Sequence, residues 1–205
     1  MKLLYLTNGF PWPLTSDFLR HYHFIRELSK DHDITLLSLV NGTFADEHTD
    51  ALAPYTRNVR TFASAQLRRS PTGKLIRGLR MVTGTEEAVR RMRDAVEEMA
   101  AKEAFDAIFF SGKRSLSAIQ GVTGIPLVVD ICDAASIRCS QRLKHCNLLR
   151  KPQVMLGRAW MQRVEQQIMA RASHMLFASC RDRETLLGER TDEATVVPNG
   201  VDPGF

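Results

Sequence analysis

Short, nearly unbroken apolar runs alternate along this chain with segments whose apolar residues recur every three or four positions. That alternation constrains the fold more than any other feature. The runs are Lys2–Thr7, Ile34–Val40, Val59–Ala63, Ala107–Phe110, Leu127–Ile131, Met175–Ser179 and Thr195–Val197. Most lack the strict apolar–polar alternation of a half-exposed strand, so they suit a parallel sheet covered on both faces. Between them, Asp17–Lys30 carries Phe18, Tyr22, Ile25 and Leu28 on one stripe, and Glu86–Lys102 carries Val89, Met92, Val96 and Met99. The stretch near Val154–Ala172 repeats the pattern with Met161, Val164 and Ile168, and shorter helices are predicted over Arg114–Gln120 and Arg181–Gly188. Right-handed crossovers then predict an α/β, Rossmann-like, doubly wound and mainly parallel sheet of about seven strands, with helices on both faces. Ligands in such sheets bind beyond the carboxyl ends of the strands. The loops after Thr7, Val40, Phe110, Ile131, Ser179 and Val197 are therefore the places where chemistry is expected.

Composition narrows the function classes. With 205 residues, 44% hydrophobic and 25% charged, the chain can build a core without staples. Cys132, Cys139 and Cys146 recur every seven residues, a rise of ~10 Å on a helix, which is too far for two thiolates to share one zinc. No C-x-x-C pair occurs, so the four cysteines read as reduced apolar residues and no metal site is expected. The opening apolar run is shorter than the ~7–15 residues of a signal-peptide core. No apolar stretch approaches the ~20 residues of a membrane span. A cytoplasmic protein is expected, with any membrane contact peripheral, at the inner face of the plasma membrane.

The first loop, Asn8-Gly9-Phe10-Pro11-Trp12-Pro13-Leu14-Thr15-Ser16-Asp17, has neither G-x-G-x-x-G nor a Walker A pattern. Ser16 or Asp17 would cap the next helix, whose N-terminus would face an anion; the alternative is a rigid connector. Arg20 lies one turn into that helix. His21 and His23, two residues apart, point to different faces and cannot chelate together; for at least one of them a surface polar role is the better reading. At the fifth strand, Val129-Asp130-Ile131-Cys132-Asp133-Ala134-Ala135-Ser136 sets two carboxylates at a carboxyl end, where burial is costly. One would serve as a general base or hold a sugar hydroxyl; alternatively Asp133 merely caps a helix. From Ala134 to Val164 there is no Asp or Glu, against Arg138, Arg142, Lys144, Arg150, Lys151, Arg158 and Arg163. A one-signed run suggests an anionic partner, a phosphate group or a phospholipid surface. A second basic segment runs from Arg68-Arg69 through Lys74, Arg77 and Arg80, beside Leu75, Ile76, Leu79 and Val82. It reads either as an interfacial amphipathic helix or as a helix packed on the sheet. Aromatics are not interleaved with the basic runs and no nucleic-acid motif occurs, so nucleic acid is not expected as a partner.

Four segments together resemble a known family. They are Leu6-Thr7-Asn8-Gly9-Phe10-Pro11-Trp12-Pro13 with Arg20-His21-Tyr22-His23 and Arg26-Glu27-Leu28; Asp130 to Ser136, similar to a D-x-x-D-x-x-S stretch; Glu165 with its helix and the strand to Ser179; and Val196-Val197-Pro198-Asn199-Gly200-Val201-Asp202. In that order and spacing the chain resembles the N-terminal half of retaining GT-B glycosyltransferases of family 4, and among them the sugar transferases of bacterial exopolysaccharide systems. The resemblance implies that residues 1–205 are the acceptor-side domain, with the donor-binding C-terminal domain absent from this chain. It implies transfer of a sugar (a hexosyltransferase-type reaction) from a nucleotide-sugar, used as substrate without a further cofactor, to a glycan or lipid-linked acceptor. The first loop would approach the donor diphosphate. On this basis the candidate catalytic residues are Asp133 and Asp130. The candidate donor- or acceptor-binding residues are Asn8, Gly9, Ser16, Arg20, His23, Ser136, Arg138 and Asn199. Two departures stand out. Thr15-Ser16-Asp17 replaces the glycines that family members carry before the helix, and Cys132 stands where many have histidine; Asp133 is the better match to the family's site. The isolated chain is expected to be inactive. Two other readings are a non-enzymatic Rossmann-like module docking on anionic lipid or polymer, and a nucleotide-sugar oxidoreductase or epimerase, which the missing glycine fingerprint disfavours.

Overall fold

The computed structural model describes residues 1–14, 19–41, 47–64, 86–188 and 192–200. The chain divides into two units, Met1–Pro126 and Leu127–Phe205. The first contains β1 (Lys2–Thr7), α1 (Leu19–Leu28), β2 (Asp33–Asn41), the short α2 (Glu47–Asp50) and β3 (Asn58–Ser64). It continues with α3 (Glu87–Lys102), β4 (Ala107–Ser111) and a 3-10 stretch at Lys113–Ile119. The second contains β5 (Leu127–Cys132), α4 (Ala135–His145), α5 (Lys151–Arg171), β6 (His174–Phe177), α6 (Cys180–Leu187) and β7 (Ala194–Val196). Seven strands among the described residues, with helical segments between them, make the Rossmann-like α/β fold expected from the sequence.

Within Met1–Pro126 the strand order is β3-β2-β1-β4 and each of these pairs is parallel. The chain first steps outward from β1 to β3, then returns to the other side of β1. That reversal opens a crevice at the carboxyl ends of β1 and β4, the place where open α/β sheets bind ligands. Successive side chains alternate between faces. Tyr5 stacks on Phe109 with ring centroids 4.4 Å apart, and Phe24 of α1 meets Phe109 edge-on, so α1 covers this face. Leu4 pairs with Thr35 and faces the other way. There α3 packs on β2 and β3, with Arg60 reaching Glu98 at 3.7 Å. One helix on each face is why both sides of β1 are apolar, and Leu3 through Thr7 are all buried. Glu103, at the end of α3, accepts from Lys2 at 2.7 Å and Arg57 at 2.5 Å. Those two hydrogen bonds hold its carboxyl below the usual range.

Within Leu127–Phe205 the order is β5-β6-β7, again parallel. Ser179 caps α6 by accepting from the Asp182 amide at 3.1 Å, and Gly188 ends it with φ 60°, a left-handed turn that glycine adopts at little cost. Among the described residues no helix is long and apolar enough to cross a membrane.

Three local expectations change. The buried stripe of α1 centres on His21 and Ile25, one position back from Tyr22, because His21 has hydroxyl partners beneath it. The segment near Arg114–Gln120 is a 3-10 stretch with non-helical backbone at Ser115, not an α-helix. In α5 the buried residues are Val164, Glu165 and Ile168, so a carboxylate joins the apolar stripe, while Met161 is half-buried. Phe18, the loop Thr15-Ser16-Asp17 and the basic segment from Arg68 to Val82 lie outside the described residues.

Candidate functional site

The crevice in Met1–Pro126 is built from two strand ends. The Asn8 amide donates to the Ser111 carbonyl at 3.2 Å, extending the β1–β4 pairing one residue past β1. The Asn8 side chain accepts from Ser115 Oγ at 2.6 Å. Gly112 lies between them: a β-carbon there would sit 2.5 Å from both Asn8 Oδ1 and Ser115 Oγ. A side chain there would push the Asn8 and Ser115 side chains apart, so the glycine lets the loops after β1 and β4 close on each other. Arg114, two residues on, makes a two-pronged ion pair with Glu86, its Nε 2.9 Å from Oε2, and both side chains are largely shielded from water. This pair ties the 3-10 stretch to the start of α3, with the planar fork geometry that favours arginine.

Under the crevice lies a buried polar relay. His21 Nδ1 is 3.0 Å from the Tyr5 hydroxyl and its Nε2 is 3.0 Å from Ser111 Oγ. A neutral imidazole satisfies both, one nitrogen donating and the other accepting. Beside it Thr7 Oγ1 donates to Ser38 Oγ at 3.0 Å, and both are buried. The relay pins α1 to the ends of β1 and β4. Of the residues expected here, Asn8 and Gly9 are in the crevice loop, and Gly9 is buried. Arg20 lies over the Phe24 ring at 4.6 Å, and His23 meets the Tyr22 edge at 5.5 Å. Both are thus held among aromatics of α1. Ser16 is outside the described residues.

The second cluster lies at the carboxyl end of β5. Asp130 is 3% exposed. The register of β5 on β6 shifts between Asp130 and Cys132, and Cys132 takes φ 55°. A non-glycine residue in that region is strained, and such strain concentrates at functional sites. The bulge re-aims the chain just before Asp133, which pairs with Arg138 at 2.7 Å. Two residues expected to meet ligands separately therefore meet each other, in an exposed pair that contributes little to stability. Helix α4 begins at Ala135 after Ala134, whose side chain offers no cap bond. Glu165 of α5 supplies the missing acceptor: its Oε1 takes the Ser136 amide at 3.3 Å, and both residues are buried. A carboxylate there also faces the positive end of the α4 dipole. Asn199 follows β7 and is exposed.

Sequence reasoning missed His21, Ser111, Gly112 and Ser115 as site residues. The signal available was Ser111-Gly112 directly after the fourth apolar run, in a loop already marked for its position. It could not reveal that Ser115 and Asn8, 107 residues apart, share a hydrogen bond.

No protein-family model matches the chain. No curated protein matches its sequence. Solved structures do resemble it. Anabaena HepE in complex with UDP and glucose aligns with TM-score 0.55 and 17% identity, over 98% of this chain and 45% of that one. TcCGT1 in complex with UDP aligns with TM-score 0.55 and 14% identity, over 97% of this chain and 50% of that one. Sucrose-phosphate synthase from Thermosynechococcus elongatus aligns with TM-score 0.54 and 13% identity, over 98% and 91%. This chain thus spans 45% of HepE and 50% of TcCGT1, roughly half of each. At these identities the likeness establishes the fold alone, a Rossmann-like α/β domain.

Proposed function

We propose that this chain is the acceptor-binding half of a retaining glycosyltransferase. It would move a sugar from a nucleotide-sugar to a glycan or lipid-linked acceptor in polysaccharide biosynthesis. The observation that carries the reading is the crevice at the β1–β4 reversal, where Gly112 leaves space for Asn8 to turn onto Ser115. The same fold holds UDP in HepE and TcCGT1, which supports a nucleotide-sugar as the ligand class. In this reading Asn8 and Gly9 approach the donor diphosphate, while a second domain grips the nucleotide. Asp133, half-exposed beside Arg138, is the carboxylate an acceptor hydroxyl can reach. Asp130 is buried near the end of β5. Ser136 and Asn199 lie in segments that carry the family resemblance; Arg138, in the basic run after Ser136, and Arg20 would face a phosphate or a lipid-linked anionic acceptor, and His23 is a further binding candidate on α1.

Calorimetry with a panel of UDP-, GDP- and ADP-sugars tests the division of labour. Binding to the full-length enzyme with little heat from this chain alone is the expected result. Firm binding to this chain would put the nucleotide site here, and no binding to either protein would remove the transferase reading. In the full-length enzyme, Asp133→Ala is expected to cut turnover at least ~100-fold, the size of a lost acid–base or orienting group, with the circular dichroism spectrum unchanged. Undiminished turnover would remove Asp133 from the site.

A further inference from the structure

The helical hairpin of α4 and α5 carries a surface the proposed reaction does not use. The two helices pack together, yet every buried residue of α5 lies in its second half, at Val164, Glu165 and Ile168. Its first half and the turn before it hold no buried residue. Leu148 is 79% exposed, Leu149 96%, Met155 59% and Leu156 73%; apart from Met1, these are the exposed large apolar residues among those described. Solvated apolar side chains gathered within nine residues mark a contact surface more often than chance exposure does. Exposed cations surround them. Arg142, Lys144 and His145 close α4, and Arg150 and Lys151 flank the leucines. A hollow of about 420 Å³ beside them is lined by Leu143, Met155 and Ala159 together with Lys151 and Arg158.

We infer that this hairpin tip docks on the surface of an anionic phospholipid bilayer, inserting Leu148 and Leu149 among the acyl chains while the cations meet headgroup phosphates. Charge selects this occupant. With no acidic residue from Ala134 to Val164, a second copy of the same face would set like charges against one another. A soluble anionic polymer would satisfy the cations and leave both leucines in water. A bilayer takes both components at once. The inference stands apart from the transferase reading, because vesicle binding is read without any turnover.

Co-sedimentation of the chain with mixed phosphatidylcholine–phosphatidylglycerol vesicles, and with phosphatidylcholine alone, tests it. Binding to the anionic vesicles, weakened by salt, is expected. The double variant Leu148→Asp with Leu149→Asp should bind them at least ~tenfold more weakly, since it removes the inserting groups and adds repulsion. Both positions are exposed, so its circular dichroism and thermal transition should match the parent's. Absent binding, equal binding by the variant, or preference for neutral vesicles would overturn the inference. So would a concentration-dependent dimer dissolved by Leu149→Asp, which would assign the face to a second copy. Tight binding to dextran sulfate that the double variant retains, without vesicle binding, would assign it to a polymer.

Discussion

Replacing His21 by leucine is expected to destabilise the Met1–Pro126 unit by about 2–4 kcal/mol, read as a drop in the urea midpoint without a change in slope. The side chain is of similar bulk, so the loss comes from polar groups rather than from a cavity. Tyr5 is fully buried and its hydroxyl would lose its partner 3.0 Å away; Ser111 Oγ would lose the other ring nitrogen. A buried hydroxyl left unpaired costs about 1–3 kcal/mol, more than the hydrogen bond contributes when made. The origin can be checked directly. Tyr5→Phe in the His21→Leu background removes the hydroxyl that has lost this hydrogen bond and should restore about 1 kcal/mol or more, a coupling that independent sites would not show. A single-variant loss below about 0.5 kcal/mol would mean that the relay does not hold α1 to the strand ends. Because the Ser111 carbonyl also receives the Asn8 amide, ligand binding at the crevice should weaken together with stability.

The Glu165→Ala variant is the second change with a large expected effect, about 2–4 kcal/mol. Helix α4 starts after Ala134, which has no side-chain oxygen, so its first turn depends on a carboxylate 29 residues later. Removing that carboxylate strands the buried Ser136 amide and takes a negative charge from the positive end of the helix. Glu165→Gln keeps an acceptor of the same reach and should cost roughly half as much. Hydrogen exchange separates a local from a global effect. The Ile137 and Arg138 amides, both bonded to the Ala134 carbonyl, should lose protection first. Arg138 would then be released from Asp133, so the alanine variant should also disturb the proposed site. Unchanged protection of these amides would show that α4 is capped by another group.

The strands were legible because a strand covered on both faces must be apolar at nearly every position. β1 begins and ends where its run does, and the other six differ from theirs by at most two residues at an end. The helices α3 and α5 were legible for the matching reason, a stripe with a period near 3.6 residues. What failed was any inference about a polar residue inside such a pattern. His21 reads as one more polar residue in Arg20-His21-Tyr22-His23, and only the placement of Tyr5 and Ser111 beneath it makes it part of the core. Glu165 enters the sequence reading only through the family resemblance, and its capping role becomes visible only when Ser136 is brought to it. Asp133 and Arg138 were both selected for charge, and their mutual pairing follows from the bulge before Asp133 and the turn of α4 between them.

By itself, then, the sequence determined the α/β class, the parallel sheet and the strand ends at which ligands would be met. Those features follow from burial, which acts residue by residue on local composition. The tertiary structure alone decided which polar groups are satisfied and by whom: Asn8 by Ser115, Tyr5 by His21, Ser136 by Glu165. Hydrogen bonds are short and directional, so partners 16 to 107 residues apart become definite only when the strands and helices that carry them are set within about 3 Å. The exposed leucines of the α4–α5 hairpin belong to the same class. Composition counts them as core, and only the packing of α5 on its second half leaves them in water.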